Sequence, residues 1–256
     1  MIRIGPAGSG ITNKEGLEYI HKLGLNAMEI EFTYQVFLNE KLAQEIGELA
    51  KKLDIALSCH GSYYINLASK EKAKIEASKN RILEAVKIAH FLGATHVVFH
   101  SGYYQDIEPK IVYDTVKKNI LEMQEKMKAR GWKPKLAPET TGKASQFGTV
   151  DELLKLKRET RCEFCVDFAH LYARNAGVID YKEVFDKLKE QKHIHSHFSG
   201  ITYTKKGERS HIPTSEAFLK PLLKEVKKRK PDITIINESP QPVKDSVKTL
   251  MLLKTI

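Results

Sequence analysis

Short apolar runs alternate with longer amphipathic stretches from one end of this 256-residue chain to the other. The runs at 2–5, 27–31, 56–60, 96–100, 135–139, 163–167, 194–198 and 233–238 are mostly apolar or β-branched, the pattern of strands buried on both faces. Between them apolar residues recur at helical spacing, predicting helices over 13–23, 42–53, 68–92, 109–130, 150–159, 181–189, 215–229 and 243–254. Thr12, Asn39, Thr149 and Asp180 precede helices as N-caps, while Gly24, Gly93, Gly131 and Pro231 end them. Eight strand–helix units in one uninterrupted series predict an α/β fold of the (β/α)₈ TIM-barrel type, with residues 1–256 as a single domain. An open doubly wound sheet competes, but it needs a phosphate-binding first turn. The stretch from Gly5 to Gly10 lacks the G-x-G-x-x-G spacing and the Gly-Lys-Ser/Thr ending, so it reads as a turn.

Composition narrows the setting. Hydrophobic residues make up 41% and charged residues 29%, an ordinary globular balance. No run approaches the roughly 18 apolar residues of a membrane span. The N-terminal Met1-Ile2-Arg3-Ile4-Gly5-Pro6 has no basic segment leading into an apolar one, so a soluble cytoplasmic monomer is expected. Three cysteines make no disulfide framework. Cys162 and Cys165 fall in one predicted strand and point to opposite faces, which suits core thiols better than a metal knuckle. The net charge of +10 fits a polyanionic partner, and equally a heat-stable surface rich in Lys and Glu. The densest run, Lys227-Lys228-Arg229-Lys230, closes a predicted helix on the barrel face away from chemistry.

Position carries the chemistry. His60 ends the third predicted strand, His100 the fourth, Glu139 the fifth, Asp167 the sixth and Glu238 the eighth. His170 follows the sixth by three residues, and His195 lies in the seventh. Barrel sites are built at C-terminal strand ends, so these side chains converge on one bowl. Burying unpaired imidazoles and carboxylates together is costly, and divalent cations resolve the conflict. Nitrogen and oxygen ligands without thiolate suit Zn²⁺, with Mn²⁺ or Fe²⁺ as alternatives. At roughly three to four ligands per ion, two or three ions fit. Neighbouring metals make a clamp for in-line displacement at phosphorus. A lone strand-end histidine is ordinarily structural; seven convergent positions argue for a site. His21, His90 and His96 lack that support and read as structural. By period two, His193 and His197 share the face of His195, so His193 is expected deeper and His197 at the mouth, supporting a ligand or touching substrate.

At these residues the chain resembles the endonuclease IV family of abasic-site repair enzymes, zinc-dependent members of the xylose isomerase-like barrel superfamily. The resemblance runs nearly end to end. It is carried in order by His60-Gly61-Ser62-Tyr63-Tyr64-Ile65-Asn66-Leu67, Phe99-His100-Ser101-Gly102, Pro138-Glu139-Thr140, Val166-Asp167-Phe168-Ala169-His170, Ile194-His195-Ser196-His197 and Asn237-Glu238-Ser239-Pro240. It implies one zinc on His60, His100 and Glu139, and a second bridged by Glu139 and completed by Asp167, His195 and Glu238. A third would sit on His170 with the loop after the seventh strand. It further implies that hydroxide formed on the metal attacks the phosphodiester 5′ to an abasic site in double-stranded DNA. The products would be a 3′-hydroxyl and a 5′-deoxyribose phosphate. Glu139 is then the catalytic carboxylate, and Tyr63 matches a residue that enters the DNA at the lesion.

Two departures stand out. The family's third site uses Asp-x-His, whereas this loop reads Gly207-Glu208-Arg209-Ser210-His211. His211 matches the histidine, Arg209 takes the carboxylate's position, and Glu208 could substitute from one residue away. The loop at 32–38 is short and holds no arginine, which the family uses there to penetrate DNA. Tyr103, Tyr104 and Tyr203 could stack on bases or simply pack. Two rival functions remain open. A single-metal sugar isomerase or epimerase of the same superfamily would need only Glu139, Asp167, His195 and Glu238. A protein that binds abasic DNA without cutting it would follow from a decayed third site.

Overall fold

The computed structural model describes residues 1–10 and 13–256; the N-cap expected at Thr12 lies outside the described residues. Among the described residues, eight parallel strands line a barrel: β1 (Ile2–Pro6), β2 (Ala27–Glu31), β3 (Ala56–His60), β4 (His96–Phe99), β5 (Lys135–Pro138), β6 (Cys165–Asp167), β7 (Ile194–Phe198) and, after a hairpin of β8 (Gly200–Thr204) and β9 (Gly207–Ile212), β10 (Ile233–Asn237). Two four-stranded sheets, β2-β3-β4-β5 and β6-β7-β10-β1, are joined by the bridges Ala7–Glu29 and Glu139–Cys165, which close the ring. The expected barrel is therefore the observed one. Around it run α1 (Asn13–Lys22), α2 (Glu40–Lys52), α3 (Lys72–Leu92), α4 (Pro109–Ala129), α5 (Val150–Thr160), α6 (Phe168–Arg174), α7 (Tyr181–Lys187), α8 (Glu216–Arg229) and α9 (Pro242–Thr255). Leu17, Ile46, Val86, Val116, Leu153 and Leu222 are buried in one hydrophobic cluster shared with strand residues such as Ile30 and Val97. Among the described residues no helix is long and apolar enough to cross a membrane.

Local chemistry sets the element ends. Asn39 and Asp180 cap α2 and α7 through their side chains, and Thr149 with Glu152 forms a capping box on α5. Helix α3 starts at Lys72, four residues later than its apolar spacing suggests. Asn66 Oδ1 accepts from the Ala68 amide and Ser69 Oγ from the Glu71 amide, so these side chains hold 66–71 in turns instead of helix. Cys162 precedes β6 rather than lying inside it, and all three thiols are buried and free of disulfides.

Two elements are not visible in the periodicity. Helix α6 spans seven residues, too few to show a period, and is nucleated by Asp167, whose Oδ1 accepts from the His170 amide at 2.7 Å. The β8–β9 hairpin is polar and largely exposed, so no apolar alternation announces it.

Candidate metal centre

Glu139, fully buried just past β5, is the hub of the bowl at the C-terminal strand ends. Its Oε2 lies 2.8 Å from His100 Nε2 and 3.3 Å from His60 Nε2. Its Oε1 lies 3.0 Å from His197 Nδ1 and 3.4 Å from His170 Nδ1. One carboxylate thus faces two separate pairs of imidazoles, the geometry of a bridging ligand. The ligand atoms of His60, His100 and Glu139 all lie within 4.8 Å of one another, and so do those of Glu139, Asp167, His197 and Glu238. His60 Nδ1 is 2.8 Å from the Gly61 carbonyl, to which it donates when that nitrogen carries the proton, leaving Nε2 aimed into the bowl.

His195 does not join this group, contrary to the sequence reading, and His197 takes its place. Parallel pairing puts His197 opposite Asp167, and His195 opposite Cys165 one layer down. His197 is completely buried beneath the bowl, so it is not a substrate contact at the mouth. His195 stacks on His96 with ring centroids 4.9 Å apart, and burial pulls both imidazoles below their usual value. Beneath the ligands lies a residue that sequence reasoning missed. Glu29 of β2 is fully buried, with Oε1 2.8 Å from His197 Nε2 and Oε2 3.0 Å from His195 Nε2. A carboxylate behind an imidazole fixes its tautomer and aims the opposite nitrogen, here His197 Nδ1, at a metal. Glu31, also missed, ends β2 and lines the bowl. The available signal was two glutamates alternating with Met28 and Ile30 in a strand expected to be buried on both faces.

The hairpin supplies the remaining carboxylate. Glu208 Oε2 lies 3.2 Å from His170 Nε2, while His170 Nδ1 is 3.0 Å from the Thr140 carbonyl. Arg209 points to solvent. The hairpin can descend this far because two glycines meet beneath it. A Cβ on Gly142 would stand 2.1 Å from Glu208 Oε2, and one on Gly207, at φ +98°, 2.2 Å from the Gly142 carbonyl oxygen. His211 Nδ1 is 2.7 Å from Ser199 Oγ, and its ring centroid is 5.6 Å from that of His170.

The electrostatics fit a cation. Burial opposes charge on His60, yet its hydrogen bond to Glu139 and the charge of Glu31 push it up to about 10. His170 is held well above its usual value, against burial, by Asp167 and Glu139. Burial raises Asp167 to about 6 and Glu31 to about 8, with neighbouring carboxylates adding to both. Burial would raise Glu139 too, but the charges of His100 and His197 hold it well below the usual range. Three buried carboxylate oxygens at the bowl, Glu31 Oε1, Asp167 Oδ2 and Glu208 Oε2, make no well-formed hydrogen bond. Divalent ions would satisfy those oxygens and take over the charge balance otherwise met by protons on the imidazoles.

A sequence profile described as xylose isomerase-like TIM barrel matches residues 17–256. The chain belongs to that family. An uncharacterized protein of Methanocaldococcus jannaschii is 37% identical across 96% of this chain and 95% of its own length. A probable endonuclease 4 of Mycoplasmopsis synoviae is 26% identical over 73% of this chain and 66% of that one. Endonuclease IV of Thermus thermophilus superposes with a TM-score of 0.70 at 20% identity, covering 99% of this chain and 97% of that one. Sugar epimerases also share the fold. In this xylose isomerase-like barrel the bowl has a volume of about 390 Å³. Tyr63 stands at its edge, 66% exposed, and Tyr34, Tyr64 and Phe37 are exposed nearby. Tyr103 is exposed, but the Tyr104 hydroxyl donates to Glu152 at 2.7 Å and Tyr203 packs edge-on against Tyr172. Lys205, Lys206 and Arg209 are exposed on the hairpin.

Proposed function

We propose that this chain is a zinc-dependent phosphodiesterase that incises double-stranded DNA 5′ to abasic sites, with Mn²⁺ able to replace zinc. The observation that carries this reading is the surplus of imidazoles around one carboxylate. Glu139, Asp167, His197 and Glu238 already make a complete single-metal set of the kind an isomerase uses. His60, His100 and His170 crowd the same Glu139 and have no part in such a site. Their presence is accounted for by two ions sharing Glu139, with His170, Glu208 and His211 as the set for a third. When bound, such ions supply an activated water and offset charge on the attacking and leaving oxygens at phosphorus.

The chain's own groups divide the remaining work. Glu139 holds two ligand pairs at a fixed separation, Glu29 orients His197, and Asp167 is fixed by capping α6. Exposed Lys205, Lys206 and Arg209 beside the bowl suit DNA phosphates, and Tyr63 suits contact with a displaced sugar or base. Similarity to a probable endonuclease 4 supports the same substrate class. Glu208 in contact with His170 argues against a decayed third site, and so against a protein that binds without cutting.

An incision assay on duplex DNA carrying one abasic site, run with and without EDTA and paired with a metal count, tests the proposal. The expected result is an EDTA-sensitive nick leaving a 3′-hydroxyl, with two or three ions per chain as reckoned from the ligand number. A single ion with epimerisation of a ketose and no nick would establish the isomerase reading instead. Tight binding of abasic DNA without any nick would leave a binder rather than an enzyme.

A further inference from the structure

We propose that Glu31 is itself a metal ligand, sharing with Glu238 an oxygen-rich cation subsite on the β2–β3–β10 side of the bowl that accepts Mn²⁺. The inference rests on reading the bowl as a metal centre and extends it to a strand that supplies no ligand in that reading. Strands β2 and β3 pair with Glu31 opposite His60, so both side chains emerge at the same level. Ligand atoms of Glu29, Glu31 and Glu238 lie within 4.8 Å of one another, and Glu238 belongs to a further such group with His60 and His197. The cluster is therefore not purely acidic; it carries two buried imidazoles.

Two further observations point to a ligand. Glu31 Oε1 is sealed from solvent without a hydrogen-bond partner, on a side chain that lines the bowl. Glu29, wholly buried beside it, likewise has its Oε1 without a well-formed hydrogen bond, although His197 Nε2 stands 2.8 Å away. Charge bookkeeping singles out the same residue. Two divalent ions on the sets built around Glu139 would offset Glu29, Glu139, Asp167 and Glu238, and Glu208 has Lys143 at 3.8 Å. Glu31 belongs to neither of those sets, and among the described residues no lysine or arginine lines the bowl. A buried carboxylate with no counter-charge is costly, whether the cost is met by a proton or by a cation. Carboxylate oxygens with water favour Mn²⁺, whereas the imidazole-rich side favours zinc.

The test is Mn²⁺ titration of the full-length zinc-loaded protein, with free Mn²⁺ followed by electron paramagnetic resonance. Wild type should take up about one Mn²⁺ beyond its zinc, and Glu31→Gln should lose that uptake while keeping its zinc. Glutamine mimics a protonated Glu31, so unchanged Mn²⁺ uptake by E31Q would mean that the group simply holds a proton, and the subsite would not exist. No uptake by wild type overturns it equally. Should E31Q fail to fold, wild-type crystals soaked in Mn²⁺ must show an anomalous peak about 2.2 Å from the Glu31 carboxylate, the usual metal–carboxylate distance. A peak elsewhere, or none, also refutes the proposal. Abasic-site incision is scored separately. An incising enzyme with no Glu31 subsite loses only this inference, and a chain that binds Mn²⁺ through Glu31 but never incises loses only the proposed function.

Discussion

Replacing Glu29 should weaken one metal site from beneath without touching any ligand. Its Oε2 is hydrogen-bonded to His195 Nε2 at 3.0 Å, its Oε1 stands 2.8 Å from His197 Nε2 in ion-pair contact, and the side chain has no access to solvent. A charged acceptor keeps the His197 proton on Nε2, so that Nδ1, 3.0 Å from Glu139 and 3.2 Å from Glu238, offers its lone pair to the ion. Glu29→Gln leaves one carbonyl acceptor for two ring nitrogens and no charge; Glu29→Met leaves no acceptor. Partners behind a metal-bound histidine are typically worth 10–100-fold in affinity. The glutamine variant should therefore lose about tenfold, about 1.4 kcal/mol, and the methionine variant about 100-fold, about 2.7 kcal/mol. Competition with a chromogenic zinc chelator reads these constants, with circular dichroism melts to confirm folding. The loss should fall on one ion, since His60 and His100 do not contact Glu29. Folded variants that both bind every zinc within twofold of wild type would show that His197 needs no support, and the reasoning would fail.

Three other outcomes follow from the same geometry. Glu139→Gln should reduce incision to the level of EDTA-treated enzyme while the fold survives, and undiminished cutting would refute the bridging role. In EDTA, the folded chain holds protons on Glu31 to about pH 8 and on His60 to about pH 10 that the unfolded chain releases earlier. The stability they confer is complete below their ordinary values and is lost as pH rises through those windows. Melting temperature in EDTA should thus fall from pH 6 towards pH 9, by the order of a few kcal/mol in stability, and zinc should reverse the trend; a flat profile would contradict the assignment. Glu208→Ala should remove about one ion per chain, measured by elemental analysis, whereas Arg209→Ala should leave metal content unchanged and lower the salt slope of DNA binding by roughly one counterion.

How far the site could be read beforehand differs residue by residue. Alternation along a strand is a local property, so the chain alone determined that His60, His100, Glu139, Asp167 and Glu238 stand at strand ends of one barrel and converge. Resemblance in six blocks pointed to the same residues. Local alternation does not, however, say how deep an inward side chain lies. His195 and His197 both face inward, and only the hydrogen-bonded register of β7 against β6, set by strands meeting across the barrel, puts His197 level with Asp167. Glu29 and Glu31 were legible as charges in a strand that ought to be apolar, but what they serve depends on β2 lying across the barrel from β7. Glu208 was visible only as a neighbour of the residue in the expected position. A register shift in the hairpin between Thr202 and Tyr203, and the bare backbone of Gly142 and Gly207, turn it towards His170. The sequence therefore determined which residues face the bowl, because that follows from a two-residue period. Which of them meet was decided by the tertiary structure, because contact depends on pairing between segments far apart in the chain.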